Sequence, residues 1–351
     1  MTQDVYEQLR VFLDNLPGGY PATENGIELE ILRRLFTEEQ AHLTLKLTPI
    51  PETISQIAER TGIDRQDALP KYEEMAKEGL IFRIRFGDQV AFNAMNFIIG
   101  IYEFQLNSLD QELAELIHQY LPILWNSNKN VNTKGVRIIP VAEAIESTSN
   151  VASYDQIREM AQKCRLISVA PCICQKEMGL IGETCDKSLE RCFQFDMTAE
   201  YYIENGMSRR IELDEFMEIL AKGNGEGLVL EPMNTKDLMG LCMCCDCCCP
   251  SIRMLKSQER PIDYVRTSFQ AEIDEDLCNS CGTCEERCPL DAPWEDDKEY
   301  EIQEARCIGC GVCVSTCPEE AISLVALPDP KPVPENIIEL GMNILKDRGL
   351  L

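Results

Sequence analysis

The strongest constraint on this chain is a cysteine motif that occurs twice near its carboxyl end. Residues 278–289 read CNSCGTCEERCP and residues 307–318 read CIGCGVCVSTCP, so both copies follow the pattern C-x2-C-x2-C-x3-C-P. Three thiolates this close together can wrap one face of a metal cluster, whereas the fourth, which precedes a proline, is directed at a neighbouring cluster. The repeat therefore predicts a fold organised around two metal clusters.

The two copies predict crossed ligand sets for two four-iron clusters. The last cysteine of each copy completes the cluster that the other copy begins. A pair of four-cysteine zinc sites is the alternative, but zinc sites usually take two separated C-x2-C pairs. The first predicted set is Cys278, Cys281, Cys284 and Cys317, and the second is Cys307, Cys310, Cys313 and Cys288.

These motifs make residues 268–327 similar to a bacterial-type two-cluster ferredoxin domain. The resemblance implies two low-potential 4Fe-4S clusters that move single electrons. Residues 266–329 contain 16 Asp plus Glu against 4 Lys plus Arg. Such acidity steers a carrier towards a basic docking patch on a redox partner, although a merely solvated surface is the alternative interpretation.

A second group of cysteines lies upstream, after a predicted strand. Ordinary small buried residues are one interpretation, but four cysteines within 21 residues of little apolar context favour a metal. Four is also the number that one further cubane needs. Cys164 is left over from this set. The predicted ligands of a further cluster are Cys172, Cys174, Cys185 and Cys192.

The segment LCMCCDCCCP contains six cysteines within eight residues. Without a metal these thiols are exposed to oxidation. Adjacent side chains diverge, so we expect only a subset to join one cluster. This subset could share ligands with the upstream set, and an iron with an incomplete thiolate set could bind substrate. The candidates are Cys242, Cys244, Cys245, Cys247, Cys248 and Cys249.

The cysteine-free front of the chain shows helical spacing over residues 27–36, 37–47, 51–61 and 65–78, followed by a predicted hairpin. This order resembles the winged helix-turn-helix superfamily over residues 26–95, which implies DNA recognition by the second motif helix. That helix is net acidic, however, which favours a docking or dimerisation module. Arg83 and Arg85 in the hairpin are the features that favour DNA.

The predicted fold class is α+β, in a multidomain chain. We expect residues 97–125 to form a long amphipathic helix that ends near Pro122. The predicted units are a winged-helix-like domain over 1–96, connector helices over 97–130, a cysteine-rich α+β domain over 131–265, a two-cluster ferredoxin domain over 266–327 and a tail helix over 328–351.

Composition excludes several other functions. The chain has 19 cysteines but only two histidines, His42 and His118, so haem and histidine-rich metal sites are not expected. Its net charge of −27 argues against nucleic acid and anionic membranes as partners. We find no nucleotide or flavin motif, no signal peptide and no apolar run near the roughly 20 residues of a membrane span, which predicts a cytoplasmic protein.

The whole arrangement resembles a group of iron-sulfur proteins from anaerobes, which implies electron transfer without fixing a substrate. The first hypothesis is a multi-cluster electron-transfer protein, or the electron-input subunit of a larger redox complex. The second is an oxidoreductase whose active site is an unusual cluster at Cys172–Cys192 and Cys242–Cys249. The third is a redox-sensing winged-helix regulator. A homodimer and a complex subunit are both compatible with the sequence.

Overall fold

The computed structural model of the chain describes residues 4–141, 144, 156–296, 299–328 and 332–351. Helices and strands are mixed throughout, which confirms the α+β class. Among the described residues, every helix is too short or too polar to cross a membrane.

Five helices and a three-stranded sheet form the front of the chain. Thr37 and Asp64 cap their helices, as predicted, whereas the helix predicted to start near Pro51 begins after Thr53. The strand order in the sheet is β1-β3-β2. The helices are α1 (Val5–Asp14), α2 (Ile27–Leu35), α3 (Glu38–Thr44), α4 (Ile54–Thr61) and α5 (Arg65–Lys77), and the strands are β1 (Glu52–Thr53), β2 (Phe82–Phe86) and β3 (Gln89–Asn93).

The two hairpin arginines are engaged in ion pairs within the chain. The guanidinium of Arg83 contacts carboxylate oxygens of Glu73 at 3.0 Å and Glu204 at 2.6 Å, and its side chain is only 6% exposed. Arg85 pairs with the same two carboxylates at 3.1 and 3.0 Å. Because Glu204 belongs to the middle of the chain, these pairs fix the hairpin to the cysteine-rich region.

The prediction of one long helix over residues 97–125 is wrong. The chain instead forms a π-turn (Phe97–Ile101), a 3-10 turn (Glu103–Asn107) and a separate helix α6 (Gln111–Asn128). Gly100 has a φ of 158°, outside the helical range, and Asp110 caps the new helix by accepting a hydrogen bond from the Leu113 amide at 2.9 Å. Pro122 lies inside this helix rather than at its end.

A five-stranded antiparallel sheet with the strand order β6-β4-β5-β8-β7 forms the middle of the chain. Val136 and Ile139 contribute isolated bridges to its edge, opposite Met233 and Leu230. Its strands are β4 (Ile167–Pro171), β5 (Glu190–Phe195), β6 (Arg209–Ile211), β7 (Val229–Pro232) and β8 (Gly240–Cys244). The helices here are α7 (Ile157–Ala161), α8 (Ile173–Leu180), α9 (Met197–Glu204), α10 (Leu213–Gly225) and α11 (Pro250–Lys256).

The carboxyl-terminal region contains two small antiparallel sheets, β9 with β12 and β10 with β11. A 3-10 turn (Pro261–Tyr264) leads into it and another (Val314–Thr316) lies within it. The last helix packs back on the front of the chain, where Arg348 donates to the carbonyl of Leu16 at 2.6 Å. The elements are β9 (Phe269–Ile273), α12 (Thr283–Arg287), β10 (Pro293–Asp296), β11 (Glu299–Ile302), β12 (Ile322–Ala326) and α13 (Ile337–Asp347).

Two hydrophobic cores hold the described residues together. One core lies in the front of the chain and extends to Tyr201, whose hydroxyl donates to the carbonyls of Ala76 and Ile81 at 2.7 and 2.9 Å. The other core contains described residues from Ile138 to Leu324, in both the cysteine-rich and the carboxyl-terminal regions. The cysteine-rich region and the carboxyl-terminal region therefore share one core.

Candidate metal centres

Two cavities in the carboxyl-terminal region are each lined by four cysteines. In each cavity three cysteines come from one copy of the motif and the fourth comes from the other copy. These are the groupings that the crossed assignment expects. The outer cavity is lined by Cys278, Cys281, Cys284 and Cys317, and the inner cavity by Cys288, Cys307, Cys310 and Cys313.

The two cavities differ in their burial. Cys281 in the outer set is exposed, whereas Cys307, Cys310 and Cys313 in the inner set are all buried. Burial raises the pKa of the Cys310 thiol to about 12. Since a cluster binds thiolates, its formation here must displace protons.

Backbone amides are directed at the sulfurs of both sets. The amide of Ala271 donates to the Sγ of Cys307 at 3.4 Å, and the amide of Ala321 donates to the Sγ of Cys317 at 3.3 Å. Such donors stabilise the negative charge of a bound cluster and raise its reduction potential. The outer and inner cavities therefore have the chemistry that a 4Fe-4S cluster requires.

In the middle of the chain, strand register gathers cysteines on one face of the sheet. Cys192 on β5 lies opposite Cys242 on β8, and Glu231 on β7 lies opposite Cys242 from the other side. Side chains alternate along a strand, so Cys244 shares the face of Cys242, while Met243 is on the opposite face. One face of the sheet is thus lined by thiols and a carboxyl group.

The turn after β8 divides the six-cysteine segment into two sets. Neighbouring side chains diverge, so that Cys244 and Cys249 are in one set while Cys245 and Cys248 are in the other. Residues 246–248 form the turn, and the amide of Cys249 donates to the carbonyl of Cys245 at 3.2 Å. The expectation that the six thiols cannot all face one cluster agrees with this geometry.

The first set comprises six cysteines whose thiols interact with one another, and we term it the buried hexad. Contacts with neighbouring thiols lower the pKa of three of them, that of Cys172 to about 7. The pKa of the other three is raised by the same contacts and by burial. The pKa is lowered in Cys172, Cys242 and Cys249, and it is raised in Cys174, Cys192 and Cys244.

Two acids lie beside the hexad, of which Glu231 is buried and Glu103 is half-buried. The Sγ of Cys244 donates to a carboxylate oxygen of Glu231 at 3.1 Å, and the hydroxyl of Ser251 donates to its other oxygen at 2.8 Å. Burial raises the pKa of Glu231 and of Glu103 to about 8, with neighbouring thiolates adding to the effect. Sequence reasoning missed both acids. The one available signal was that Glu231 is an acidic residue within the otherwise apolar strand GLVLEP.

The second set, which we term the surface tetrad, consists of Cys185, Cys245, Cys247 and Cys248. All four sulfurs lie within 4.8 Å of one another. The sequence grouped Cys185 with Cys172, but the structure separates the two, because Cys185 lies on the loop after α8. Gln175 holds this loop by donating to the carbonyls of Cys185 and Lys187 at 3.0 and 2.9 Å.

Cys164 belongs to neither set. Its thiol lies near the carbonyl of Met160 at 3.5 Å, and burial raises its pKa to about 12. It has the surroundings of an ordinary half-buried cysteine.

Comparison with protein-family models identifies the domain type of one part of the chain. Residues 270–320 match the family model of the 4Fe-4S dicluster domain. The carboxyl-terminal region is therefore a ferredoxin-type domain, and the chain is an iron-sulfur protein. A search of curated proteins found no significant match to the sequence.

Proposed function

We propose that this chain is a multi-cluster electron-transfer protein, or the electron-input subunit of a larger redox complex. Electrons pass between a partner and the outer cluster, then through the inner cluster to at least one further cluster bound by the buried hexad. The observation that carries this proposal is the shared core. Cys310 of the inner set and Cys244 and Cys249 of the hexad belong to the same hydrophobic core.

Differences in burial indicate which cluster exchanges electrons with the partner. Cys281 at the outer cavity is exposed and is accessible to a partner, whereas every cysteine of the inner cavity and of the hexad is buried or half-buried. Burial and amide donors both tune the potential of a cluster, so the three positions differ in the environment that sets potential. The outer cluster is the point of entry or exit.

Polar contacts hold the inner cluster against the middle of the chain. The amide of Val141 donates to the carbonyl of Cys310 at 3.0 Å. Arg306 donates to the carbonyls of Leu290 at 2.7 Å and Gln258 at 3.1 Å, thereby joining the two regions. Such contacts keep the separation between clusters fixed, on which the rate of electron transfer depends.

The charge around the outer cavity supports a basic redox partner. Exposed acids flank its ligands in the chain, and Glu319 accepts a hydrogen bond from Asn279 at 2.8 Å beside the cavity. We infer that a redox partner binds here through a basic patch, by electrostatic steering. The exposed acids are Asp274, Glu275, Asp276, Glu285, Glu286, Glu319 and Glu320.

Electron transfer to a basic cytochrome c tests this function. The dithionite-reduced protein, freed of excess reductant, should reduce the cytochrome at a rate that falls as salt is raised, because the Debye length shrinks from about 30 Å at 0.01 M to about 10 Å at 0.1 M. The double variant Glu275→Lys with Asp276→Lys should react severalfold more slowly at low salt. The matched variant Glu24→Lys with Glu38→Lys has the same net charge and should react like the wild type.

Two results would contradict the proposal. Equal rates for the two charge variants would mean that the partner does not bind beside the outer cavity. Failure of the reduced wild-type protein to transfer electrons at any salt concentration would contradict the electron-transfer function itself.

For the front of the chain we propose a winged helix that serves in docking rather than in DNA binding. Its elements follow the order helix, strand, two helices and hairpin. The hairpin cations Arg83 and Arg85 are paired with Glu73 and Glu204, and phosphate contacts require free cations. An electrophoretic assay at physiological salt should show no retarded DNA in either redox state, and retardation in one state only would favour the regulator instead.

A further inference from the structure

Unlike the ferredoxin-type sets, the surface tetrad has all four of its sulfurs close together. The Sγ of Cys248 lies 3.5 Å from that of Cys185 and 4.0 Å from that of Cys247. Every pair in the tetrad is closer than 4.8 Å. The four sulfurs therefore surround a space that suits one atom.

This spacing matches a single tetrahedral ion. Four thiolates at about 2.3 Å from zinc stand about 3.8 Å from one another. In a cubane each thiolate binds a separate iron at a separate corner, so the thiolates stand farther apart. The distances within the tetrad follow the first geometry.

The ferredoxin-type domain provides an internal comparison. All eight of its motif cysteines lie in the described part of the chain, and no three of them have sulfurs within 4.8 Å of one another. They line open cavities instead. The structure therefore gives wide spacing where a family match indicates 4Fe-4S clusters, and tight spacing at the tetrad.

A buried arginine supplies compensating charge. Four thiolates around a divalent ion leave a net charge of −2, which needs nearby donors. The Nη2 of Arg191 donates to the Sγ of Cys245 at 3.4 Å, and the side chain of Arg191 is almost completely buried. Its remaining Nε and Nη1 atoms have no partner within the protein. This cation stabilises a negatively charged centre at this place.

We propose that the surface tetrad of Cys185, Cys245, Cys247 and Cys248 binds one structural zinc ion, separate from the iron-sulfur clusters. The ion joins the loop after α8 to the turn after β8. Cys174 and Cys192 flank that loop, and Cys244 and Cys249 flank that turn. The zinc ion thus holds together the two segments that carry the hexad.

Metal analysis of the protein purified without oxygen tests this assignment. The wild type should contain one zinc per chain in addition to its iron. Cys247→Ser, at the exposed position, and Cys248→Ser should each lower zinc to below about a tenth of the wild-type value, with iron retained if the loop stays folded. Cys164→Ser is the matched control and should change neither metal.

X-ray absorption at the zinc edge of the wild-type protein gives a second measurement that does not depend on how the variants fold. We expect four sulfur neighbours at about 2.3 Å. Zinc bound by nitrogen or oxygen would overturn the proposal, as would zinc that persists in both tetrad variants. Loss of about four irons from Cys247→Ser with no zinc in the wild type would identify a cubane instead.

Discussion

The two copies of the ferredoxin motif differ at their third residue, and exchanging that residue should affect the two clusters unequally. Ser280 in the outer copy has a φ of 58°, and Gly309 in the inner copy has a φ of 67°. Both residues are therefore in the left-handed region, but only one of them is a glycine. Gly309→Ser gives the inner motif the residue of the outer one, and Ser280→Gly makes the reverse change.

The atoms around Gly309 determine how much Gly309→Ser should destabilise the inner site. A Cβ on Gly309 would lie 2.1 Å from the carbonyl oxygen of Phe269, closer than real Cβ atoms come to any neighbour, and the obstacle is backbone. The left-handed conformation costs about 1–2 kcal/mol and the overpacking about 1–3 kcal/mol. We therefore expect Gly309→Ser to destabilise the inner site by about 2–5 kcal/mol, a large part of the roughly 5–15 kcal/mol that keeps a domain folded.

Iron release to a chelator, followed by bleaching of the visible absorbance without oxygen, measures this difference. Gly309→Ser should release iron faster than the wild type and be purified with up to about four irons fewer. Ser280→Gly should behave like the wild type. Gly282→Ala adds a Cβ 3.1 Å from the hydroxyl of Tyr300, the end of a side chain that can move, so at φ 78° it combines the left-handed cost with a milder contact. Full iron and unchanged release in Gly309→Ser would refute the packing argument.

Three further predictions concern the crossed ligands and the hairpin arginines. Cys317→Ala should damage the outer cluster and Cys288→Ala the inner one, as judged by EPR of the reduced protein; the opposite pattern would contradict crossed ligation. Arg83→Met removes the buried cation of an ion pair, but Glu73 and Glu204 are 31% and 37% exposed and keep Arg85 as a partner. It should therefore lower the free energy of unfolding by about 1–3 kcal/mol in anaerobic denaturation, and an unchanged midpoint would contradict this. Arg85→Met removes a pair that is 42% exposed and should cost less than about 1 kcal/mol in the same assay, so a larger loss would contradict the solvent screening assumed here.

The sequence was informative where the chemistry is local. Each ferredoxin motif brings three ligands together over a few residues, so these three follow from spacing, and the repeat of the motif indicates the fourth ligand from the other copy. Divergence of adjacent side chains also anticipated that the run from Cys242 to Cys249 would be divided. In both cases short-range backbone geometry determines the outcome.

The partner of Cys185 could not be found in this way. It meets Cys245 across some 60 residues, and that contact depends on the pairing of β5 with β8 and on the loop that Gln175 holds. Spacing along the chain contains no information on such a register. The same limit applies to Glu103, which reaches the hexad only because Gly100 and Asp110 interrupt the predicted helix.

The hairpin arginines are a third example of contacts that spacing along the chain does not reveal. In the sequence Arg83 and Arg85 were the residues that favoured phosphate contacts, although the helix that precedes them is net acidic. In the structure Glu204, more than a hundred residues away, pairs with both of them. Local charge patterns therefore describe a surface only when distant elements leave it uncovered.

The central claim is that the electron route continues beyond the two ferredoxin-type clusters into the buried hexad. The most direct measurement is iron and acid-labile sulfide per chain, in protein purified without oxygen. We predict about twelve or more irons with matching sulfide, because two cubanes account for about eight. A value of eight, unchanged by Cys244→Ser, would contradict the claim and confine electron transfer to the carboxyl-terminal domain.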